Sequence, residues 1–496
     1  NTPKKSKPKK NLLICVHNYV EQRPFGGVEI LTKQLADYLK HEWNVYLLYP
    51  SNRHAKWYMR DKTAVRSDIP LKAISRYETL SAVSPYEALE FKKILLQNEI
   101  SFVCFQHLLN YPLLLPLSAA ELGIPFAVSL HDYYPICHKF NLIDLNDAYC
   151  HPDRIPLESC DVCLDRSVGA QSRRRELMTK VLKQACGIHC ASSWQKTLIA
   201  SVYPELEQRL HVIEPGCGEG MPHESLGSNR KLRVVVPGNI GFHKGAAVLL
   251  QVAAYFAGVH RDKIEFFIPF SVQSPWKEFM ARLGNVLFGT KTYDVGEQLD
   301  IYKEADVALF LSIWPETFLI SLSEAWRMRV PAIVTDLGAP SDRVQDGVNG
   351  WKVPPNQAGP VINILNRILD DCSLLEKVRN NLKRSKVTTW EDYSRHVEAF
   401  FEKALENASV PSSPALTHFQ VTWLESQIKR CQPTIIPWSQ QVIQRSQPII
   451  LRRGMLILEA YHYLRKFGIK RFLAAALMYL SRKLEKVTVK EASRND

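Results

Sequence analysis

The chain has 496 residues and a formal net charge of +13, and its 46% hydrophobic and 23% charged residues are typical of a globular protein. One hydrophobic core is not enough at this length, so about two to four domains are expected. No stretch approaches the roughly 18 to 20 apolar residues of a membrane-spanning helix. No nucleic-acid-binding pattern is present either, so neither a transmembrane segment nor a nucleic-acid partner is expected.

Residues 1–10 are basic and lack the apolar segment of a signal peptide, so we expect a disordered start and a cytoplasmic location. A buried strand at 11–17 follows, then Gly26 and Gly27 open a helix, and a second strand occupies 45–49. This order predicts the first unit of a doubly wound parallel sheet, in which ligands bind beyond the carboxyl ends of strands. The glycines let the backbone approach a phosphate or an acceptor closely, although a plain strand-to-helix turn explains the same spacing.

The first predicted domain spans residues 11–215. Its remaining strands are expected at residues 102–106, 126–130, 187–191 and 211–213. His131 directly follows the second of these strands, where it can reach a bound ligand, but a lone histidine is more often a satisfied polar residue. A stretch rich in Pro, Gly, Glu and Ser comes next, and we place an interdomain linker at residues 216–230.

The pattern then restarts, which predicts a second domain over residues 231–390. A strand at 232–236 is followed by a glycine loop that ends in Lys244 and Gly245 at the start of a helix. Backbone amides and a flexible ammonium would face an anion there, so this loop is a predicted phosphate site. Further strands are expected at residues 264–270, 286–288 and 307–311.

The stretch 312–336 carries two acidic residues at a fixed spacing. Glu316 lies in a turn, and Glu324 lies two turns along a helix predicted at 318–328. At about 1.5 Å rise per residue the two carboxylates would be on the order of 10 Å apart, with unpaired helix amides between them. A diphosphate flanked by a sugar and a ribose suits this arrangement, because the helix dipole favours anions and carboxylates accept hydrogen bonds from hydroxyls.

The motif Glu316-x7-Glu324, preceded by a strand and Pro315, resembles that of the retaining GT-B glycosyltransferases of family 4. The Gly26-Gly27 loop, His131 and the loop ending in Lys244 follow the same family pattern in the correct order. The resemblance covers about residues 11–405. It implies an α/β GT-B fold of two Rossmann-like doubly wound parallel-sheet domains facing a cleft, plus a helical C-terminal extension.

The resemblance also implies roles for individual residues. His131 would assist near the reacting carbon, Lys244 would bind the diphosphate, Glu316 would orient the sugar and Glu324 would bind the ribose. The residues expected to contact the donor are Gly27, Asn239, Lys244, Gly289, Thr290, Glu316, Thr317, Phe318, Leu319, Ile320 and Glu324. Those expected to contact the acceptor are Gly26 and Gly27.

Two residues depart from the family pattern. Asn239 stands where the family has arginine, so the diphosphate would be held with one fewer cation. Leu319 stands where the family often has glycine, which narrows the sugar pocket. A catalytically inactive GT-B scaffold would explain both departures, and a nucleotide-sugar epimerase of the same fold is a further alternative.

The function that the resemblance implies is transfer of a sugar, with retention, from a nucleotide-sugar to a glycan or lipid-linked glycan of a bacterial surface polysaccharide of O-antigen or capsule type. No Asp-x-Asp is present, so no cofactor is expected for catalysis. The chain does not begin with methionine, so further transferase domains of the same polypeptide are expected.

An insert after His131 contains Cys137, Cys150, Cys160 and Cys163. The pair Cys160-x-x-Cys163 is typical of one half of a tetrahedral zinc site, and four cysteines in a reducing compartment favour metal binding over disulfides. We therefore predict a structural zinc ion, in which His138 or His151 could replace one cysteine, with unpaired thiols in a flexible loop as the alternative.

The chain ends in a predicted crossover helix at 391–406 and a basic helical extension at 407–496. The amphipathic segment 451–486 would either lie on the anionic inner face of a cytoplasmic membrane, as a peripheral contact, or pack on a neighbouring domain. The sequence favours neither alternative.

Overall fold

The computed structural model describes most of the first 408 residues. The described residues are 9–408 except 24, 53, 55, 71–84, 110, 165–167, 221–229 and 290–296. The chain divides into one unit of residues Asn1–Arg430 and a second of Cys431–Asp496. The second unit, and with it the predicted amphipathic segment, lies outside the described residues.

An eight-stranded sheet forms the core of the N-terminal half. Its strands are β1 (Lys10–Cys15), β2 (Trp43–Pro50), β3 (Lys56–Arg60), β4 (Arg66–Pro70), β5 (Phe102–Phe105), β6 (Phe126–Leu130), β7 (Gly187–Cys190) and β8 (Leu210–Val212). Their spatial order is β4-β3-β2-β1-β5-β6-β7-β8. Neighbouring strands are parallel except in the pairs β2–β3 and β3–β4, which are antiparallel. The β3–β4 hairpin extends one edge of the sheet. Every residue of β5, β6 and β7 is buried, as expected of strands covered on both faces.

Helices pack on both faces of this sheet. They are α1 (Gly27–Leu39), α2 (Pro85–Gln97), α3 (Leu114–Glu121), α4 (Leu157–Cys163), α5 (Ala170–Gln184) and α6 (Ser193–Val202). Helix α1 buries Leu31, Leu35 and Leu39, which are four residues apart and form one apolar stripe. Because α1 starts soon after β1 ends, its first turn lies at the carboxyl edge of the sheet.

A six-stranded parallel sheet forms the core of the C-terminal half. Its strands are β9 (Leu232–Val235), β10 (Ile264–Ile268), β11 (Val286–Phe288), β12 (Val307–Phe310), β13 (Ala332–Thr335) and β14 (Trp351–Val353). The spatial order β11-β10-β9-β12-β13-β14 is the 3-2-1-4-5-6 order of a dinucleotide-binding fold. The order reverses between β9 and β12, and ligands of such sheets bind in the crevice beyond the strands at that point.

The helices of this half are α7 (Ala246–Val259), α8 (Trp276–Met280), α9 (Ile320–Arg327), α10 (Ala339–Arg343), α11 (Ala358–Asp370), α12 (Ser373–Leu382) and α13 (Trp390–Asn407). Helix α13 returns to the N-terminal sheet, where the rings of Phe401 and Phe102 are 5.1 Å apart. A Cβ at Gly187 would lie 2.6 Å from the Phe400 ring, so the helix packs directly on the start of β7. The last helix therefore joins the two halves.

Candidate active site

The candidate site begins at the carboxyl ends of β9 and β12. Lys244 follows β9 at the end of a short 3-10 turn, and Gly245 starts α7 from a φ of +75°. A Cβ at Gly245 would lie 2.0 Å from the carbonyl oxygen of Leu311, so only glycine lets this turn pack against the end of β12. This packing brings Lys244 next to the residues that follow β12.

Lys244 and Glu316 form an ion pair. Lys244 Nζ lies 2.5 Å from Glu316 Oε1, and the same oxygen accepts a hydrogen bond from Ser312 Oγ at 2.5 Å. Glu316 is only 7% exposed, and Lys244 Nζ lies 5.5 Å from the centre of the Trp314 ring. The cation is thus held between a carboxylate and an aromatic face at the reversal point of the sheet.

Helix α9 starts beside this ion pair without a side-chain cap. Leu319 precedes the helix in the left-handed conformation, with φ of 68° and ψ of 75°, which costs a residue other than glycine about 1 kcal/mol. Arg343 donates hydrogen bonds to the carbonyl oxygens of Phe318 at 2.7 Å and Leu319 at 3.0 Å. Arg343 thus fixes the loop just before the helix, and no side chain caps the helix. The first backbone amides of α9 are therefore available to bind an anion.

Glu324 lies on α9 and is partly buried. Within the described residues its one hydrogen bond is to the hydroxyl of Tyr302, at 3.3 Å from Oε2. Burial raises the pKa of Glu324 to about 7. A carboxyl group with a single weak donor keeps acceptor capacity for the hydroxyls of a ligand.

The N-terminal half meets this region at two points. Thr317 Oγ1 donates a hydrogen bond to the carbonyl oxygen of His131 at 2.9 Å. A Cβ at Gly27 would lie 3.2 Å from Ile320 Cδ1, so the start of α1 faces the start of α9 across the gap between the sheets. His131, Gly27 and the α9 loop are therefore brought together, as the sequence predicts.

His131 is a neutral imidazole in this position. Its Nε2 lies 2.8 Å from Gln106 Oε1, so the ring donates to the amide oxygen. Burial, followed by the neighbouring His189, holds the pKa of His131 well below its usual value. With its one N–H donated to Gln106, the uncharged ring keeps Nδ1 as a hydrogen-bond acceptor and adds no charge near a bound sugar.

A polar network on the N-terminal side was not predicted from the sequence. His17 Nε2 lies 3.2 Å from Glu29 Oε1, the rings of His17 and His107 are 4.5 Å apart, and His107 Nε2 lies 2.9 Å from Asp132 Oδ2. The amide of Leu109 donates to His107 Nδ1, so the Nε2 hydrogen points to Asp132. The available signal was a polar residue two positions after the end of each of the apolar strands β1, β5 and β6.

Three other residues, Asn239, Gly289 and Thr290, were also predicted to contact the donor. Asn239 is exposed, and its Oδ1 accepts a hydrogen bond from Ser271 Oγ at 2.8 Å. Gly289 follows β11 at the edge of the sheet, three strand spacings from β12, or roughly 14 Å at the usual spacing. Thr290 lies outside the described residues.

The four cysteines of the insert line one cavity of about 200 Å³. Within the described part of the chain, no group of three or more His, Cys, Asp or Glu side chains is arranged to hold a metal ion. The predicted zinc site thus stays a prediction.

In the ranges that the structure describes, no helix has both the length and the apolar character to cross a membrane.

Two Rossmann-type sheets joined by a returning C-terminal helix define a GT-B glycosyltransferase fold, and solved structures confirm this predicted fold class. HepE of Anabaena, determined in complex with UDP, is 14% identical with a TM-score of 0.54, over 79% of this chain and 99% of that chain. Sucrose-phosphate synthase of Thermosynechococcus elongatus is 16% identical with a TM-score of 0.57, over 80% of this chain and 100% of that chain. At these identities the likeness establishes the fold.

Residues 223–385, in the C-terminal half, match the model of the family Glycosyl transferases group 1. An uncharacterized glycosyltransferase of Methanocaldococcus jannaschii is 21% identical over 242 residues, which are 45% of this chain and 61% of the relative. The chain therefore spans less than two thirds of the length of this curated relative.

Proposed function

We propose that this protein is a retaining glycosyltransferase that moves a sugar from a nucleotide-sugar to a glycan acceptor. The observation that carries the proposal is the Lys244–Glu316 ion pair, which lies beside the uncapped start of α9 and opposite Gly27 and His131. A cation and free helix amides suit a diphosphate, and a neighbouring carboxylate suits sugar hydroxyls.

In this proposal the donor lies along α9. Lys244 and the first amides of the helix bind the diphosphate, Glu316 accepts hydrogen bonds from the sugar, and Glu324 accepts them from the ribose. The separation of Gly289 from β12 leaves room for the nucleobase at the sheet edge. HepE, which shares the fold, was determined with UDP, and this supports a nucleotide as one part of the donor.

The chemistry needs no nucleophile from the protein. The acceptor hydroxyl attacks the anomeric carbon on the face from which the nucleotide leaves, the glycosidic bond forms as the carbon–phosphate oxygen bond breaks, and a departing phosphate oxygen takes the hydroxyl proton. Lys244 and the α9 amides stabilise the negative charge that develops on that phosphate. Neutral His131 assists close to the reacting carbon.

The acceptor enters from the N-terminal side in this proposal. The Gly26-Gly27 turn, in which Gly26 N donates to Glu29 Oε2 at 2.9 Å, borders its path. His17 Nδ1 is buried and has no hydrogen-bond partner within the described residues, so it can accept a hydrogen bond from a sugar hydroxyl. A bacterial surface polysaccharide, built on a lipid-linked glycan at the inner membrane face, is the acceptor class that the sequence resemblance favours.

The test incubates the purified chain with UDP-, GDP-, ADP- and dTDP-sugars, with and without simple alkyl glycosides as acceptors. Acceptor-dependent release of nucleoside diphosphate, with retention at the anomeric carbon by NMR, supports the proposal. Conversion of the donor into an isomer without acceptor favours the epimerase, and absence of donor binding by calorimetry favours the inactive scaffold.

A matched pair of variants ties the activity to the site. Glu324→Ala is expected to abolish donor turnover, because the ribose loses its acceptor. Glu176→Ala removes an exposed glutamate that pairs with Lys180 on α5, and its activity should equal that of the wild type. Unchanged turnover in Glu324→Ala would remove this site from the proposal.

A further inference from the structure

We propose that Cys137, Cys150, Cys160 and Cys163 bind one structural zinc ion that closes the cavity between them. The proposal does not depend on the proposed transferase function. All four residues line the same cavity, and all four are free thiols. Four thiolates are one of the ligand sets that hold zinc in closed structural sites.

Local backbone structure brings the four residues to this cavity. Cys160 and Cys163 lie three residues apart on α4, so both side chains are on one face of the helix. Cys150 N donates to the carbonyl oxygen of Leu142 at 2.9 Å, and Cys137 N donates to that of Tyr133 at 2.9 Å. The cysteines thus come from three separate turns that converge on one space.

The cavity is wider than a zinc site. Zinc with four thiolates has Zn–S distances of about 2.3 Å, which places neighbouring sulfurs roughly 3.8 Å apart. The present arrangement of the described residues does not reach that geometry. Because the cavity of about 200 Å³ lies between the side chains, they can move inward on zinc binding, and each thiol that becomes a ligand releases its proton to solvent.

Positive charge beside the cavity fits a tetrathiolate site, which carries two negative charges. Arg175 lines the cavity, and its buried Nε has no hydrogen-bond partner within the described residues. Lys139 Nζ lies 3.2 Å from Cys163 Sγ. Cationic groups and N–H donors around metal-bound sulfur orient the ligands and balance their charge.

The insert also needs an element that holds its irregular backbone. Phe140, Leu142, Asp147 and His151 have φ between 49° and 62°, a conformation that costs residues other than glycine about 1 kcal/mol or more each. Such residues persist where the surroundings fix them, and a zinc ion that joins three turns would do so. The start of the insert also packs near the candidate active site, because the ring of Tyr133 lies 6.3 Å from that of Trp314.

The test is the metal content of the full chain, purified with a tag that contains no histidine and analysed by inductively coupled plasma mass spectrometry. About one zinc per chain is expected for the wild type. Cys160→Ser and the double variant Cys160→Ser/Cys163→Ser should lose most of it. Cys372→Ser, which changes an exposed cysteine between α11 and α12, should keep it.

A second measurement uses only the wild-type chain, so it does not depend on the folding of the variants. Titration with a mercurial reagent should release zinc, followed with a chromogenic chelator, and trypsin should then cut the insert at Lys139 faster. A wild-type chain that contains no zinc, and so releases none to the chelator, would overturn the proposal. So would disulfides among the four cysteines in non-reducing peptide mass spectrometry.

Discussion

Lys244 Nζ and Glu316 Oε1 lie 2.5 Å apart, although the residues are 72 positions apart in the chain. The pair joins the loop after β9 to the turn after β12, at the point where the strand order reverses. In the proposed reaction the two residues bind different parts of the donor. Lys244 binds the diphosphate, and Glu316 accepts hydrogen bonds from the sugar hydroxyls. Binding of the donor would thus exchange one ion pair for two sets of ligand contacts.

Lys244→Ala should weaken the binding of a nucleoside diphosphate roughly tenfold to a hundredfold, the usual effect of losing a charged hydrogen bond. It should also destabilise the protein, because the largely buried Glu316 loses its cation. The measurement is calorimetric titration with the diphosphate that binds best. Lys303→Ala, at a lysine whose side chain is 61% exposed, is the control and should bind normally.

The double variant Lys244→Met/Glu316→Gln separates the two effects. It leaves no unpaired charge, so thermal stability should recover towards that of the wild type, while nucleotide affinity stays low. Recovery of affinity together with stability would show that Lys244 acts only through folding and would contradict a direct role in binding.

Donor binding should depend on pH through Glu324. Burial raises the pKa of this carboxyl to about 7, so it is neutral below that pH and ionised above it. Ribose hydroxyls bind the ionised form better, and affinity for a nucleotide-sugar should be roughly tenfold weaker at pH 6 than at pH 8. A nucleotide-sugar is used because its diphosphate diester does not titrate in this range. Glu324→Gln should give a flat profile, and an equal slope in that variant would assign the titration to another group.

Gly245 and Gly258, near the two ends of α7, should respond in opposite ways to alanine. At Gly245 the φ of +75° and the 2.0 Å approach of a Cβ to a backbone oxygen predict a loss of at least about 3 kcal/mol and of nucleotide binding. At Gly258 a Cβ meets nothing within 4 Å, so alanine should stabilise the helix by up to about 1 kcal/mol. Denaturant unfolding of both variants checks this, and similar stabilities would contradict the described turn.

The sheets could be predicted from sequence, because apolar strands, glycine turns and helix starts are local patterns. The family resemblance implies that Lys244 and Glu316 both contact the donor, but the sequence does not predict the ion pair between them. Leu319 is an instructive case. The family often has glycine there, and the φ of 68° shows the physical reason, since this turn requires the left-handed conformation. The sequence shows that leucine stands in place of glycine. Only the backbone shows that this leucine adopts an unfavourable conformation, in which its amide keeps its place.

The histidine network could not be predicted in the same way. His17, His107 and Asp132 come from three strands that are distant in sequence, and only the strand order β1-β5-β6 brings them side by side. The β3–β4 hairpin was also missed, because it is short and its outer strand is polar and largely exposed. Both features depend on which strands become neighbours, which a single sequence does not reveal.

Buried histidines should make the protein sensitive to acid. Burial lowers the pKa of His189, a fully buried residue whose Nε2 lies 2.8 Å from the carbonyl oxygen of Ile213, to about 4 from 6.5. The unfolded chain therefore binds a proton more tightly than the folded one. The stability contribution of His189 is fully present above pH 6.5 and is lost as the pH falls towards 4, by about 3 kcal/mol at most.

The variant His189→Gln isolates this contribution, because glutamine does not titrate and can still donate to the same carbonyl. The difference in unfolding free energy between wild type and variant, measured by urea titration, should shrink or reverse between pH 6.5 and 4 as the wild type weakens. Glu324 changes stability with pH in the opposite direction, since its raised pKa favours the folded state at low pH. The stability of the wild type as a function of pH would therefore mix the two effects. A difference that is constant with pH would mean that His189 titrates alike in the folded and unfolded chains.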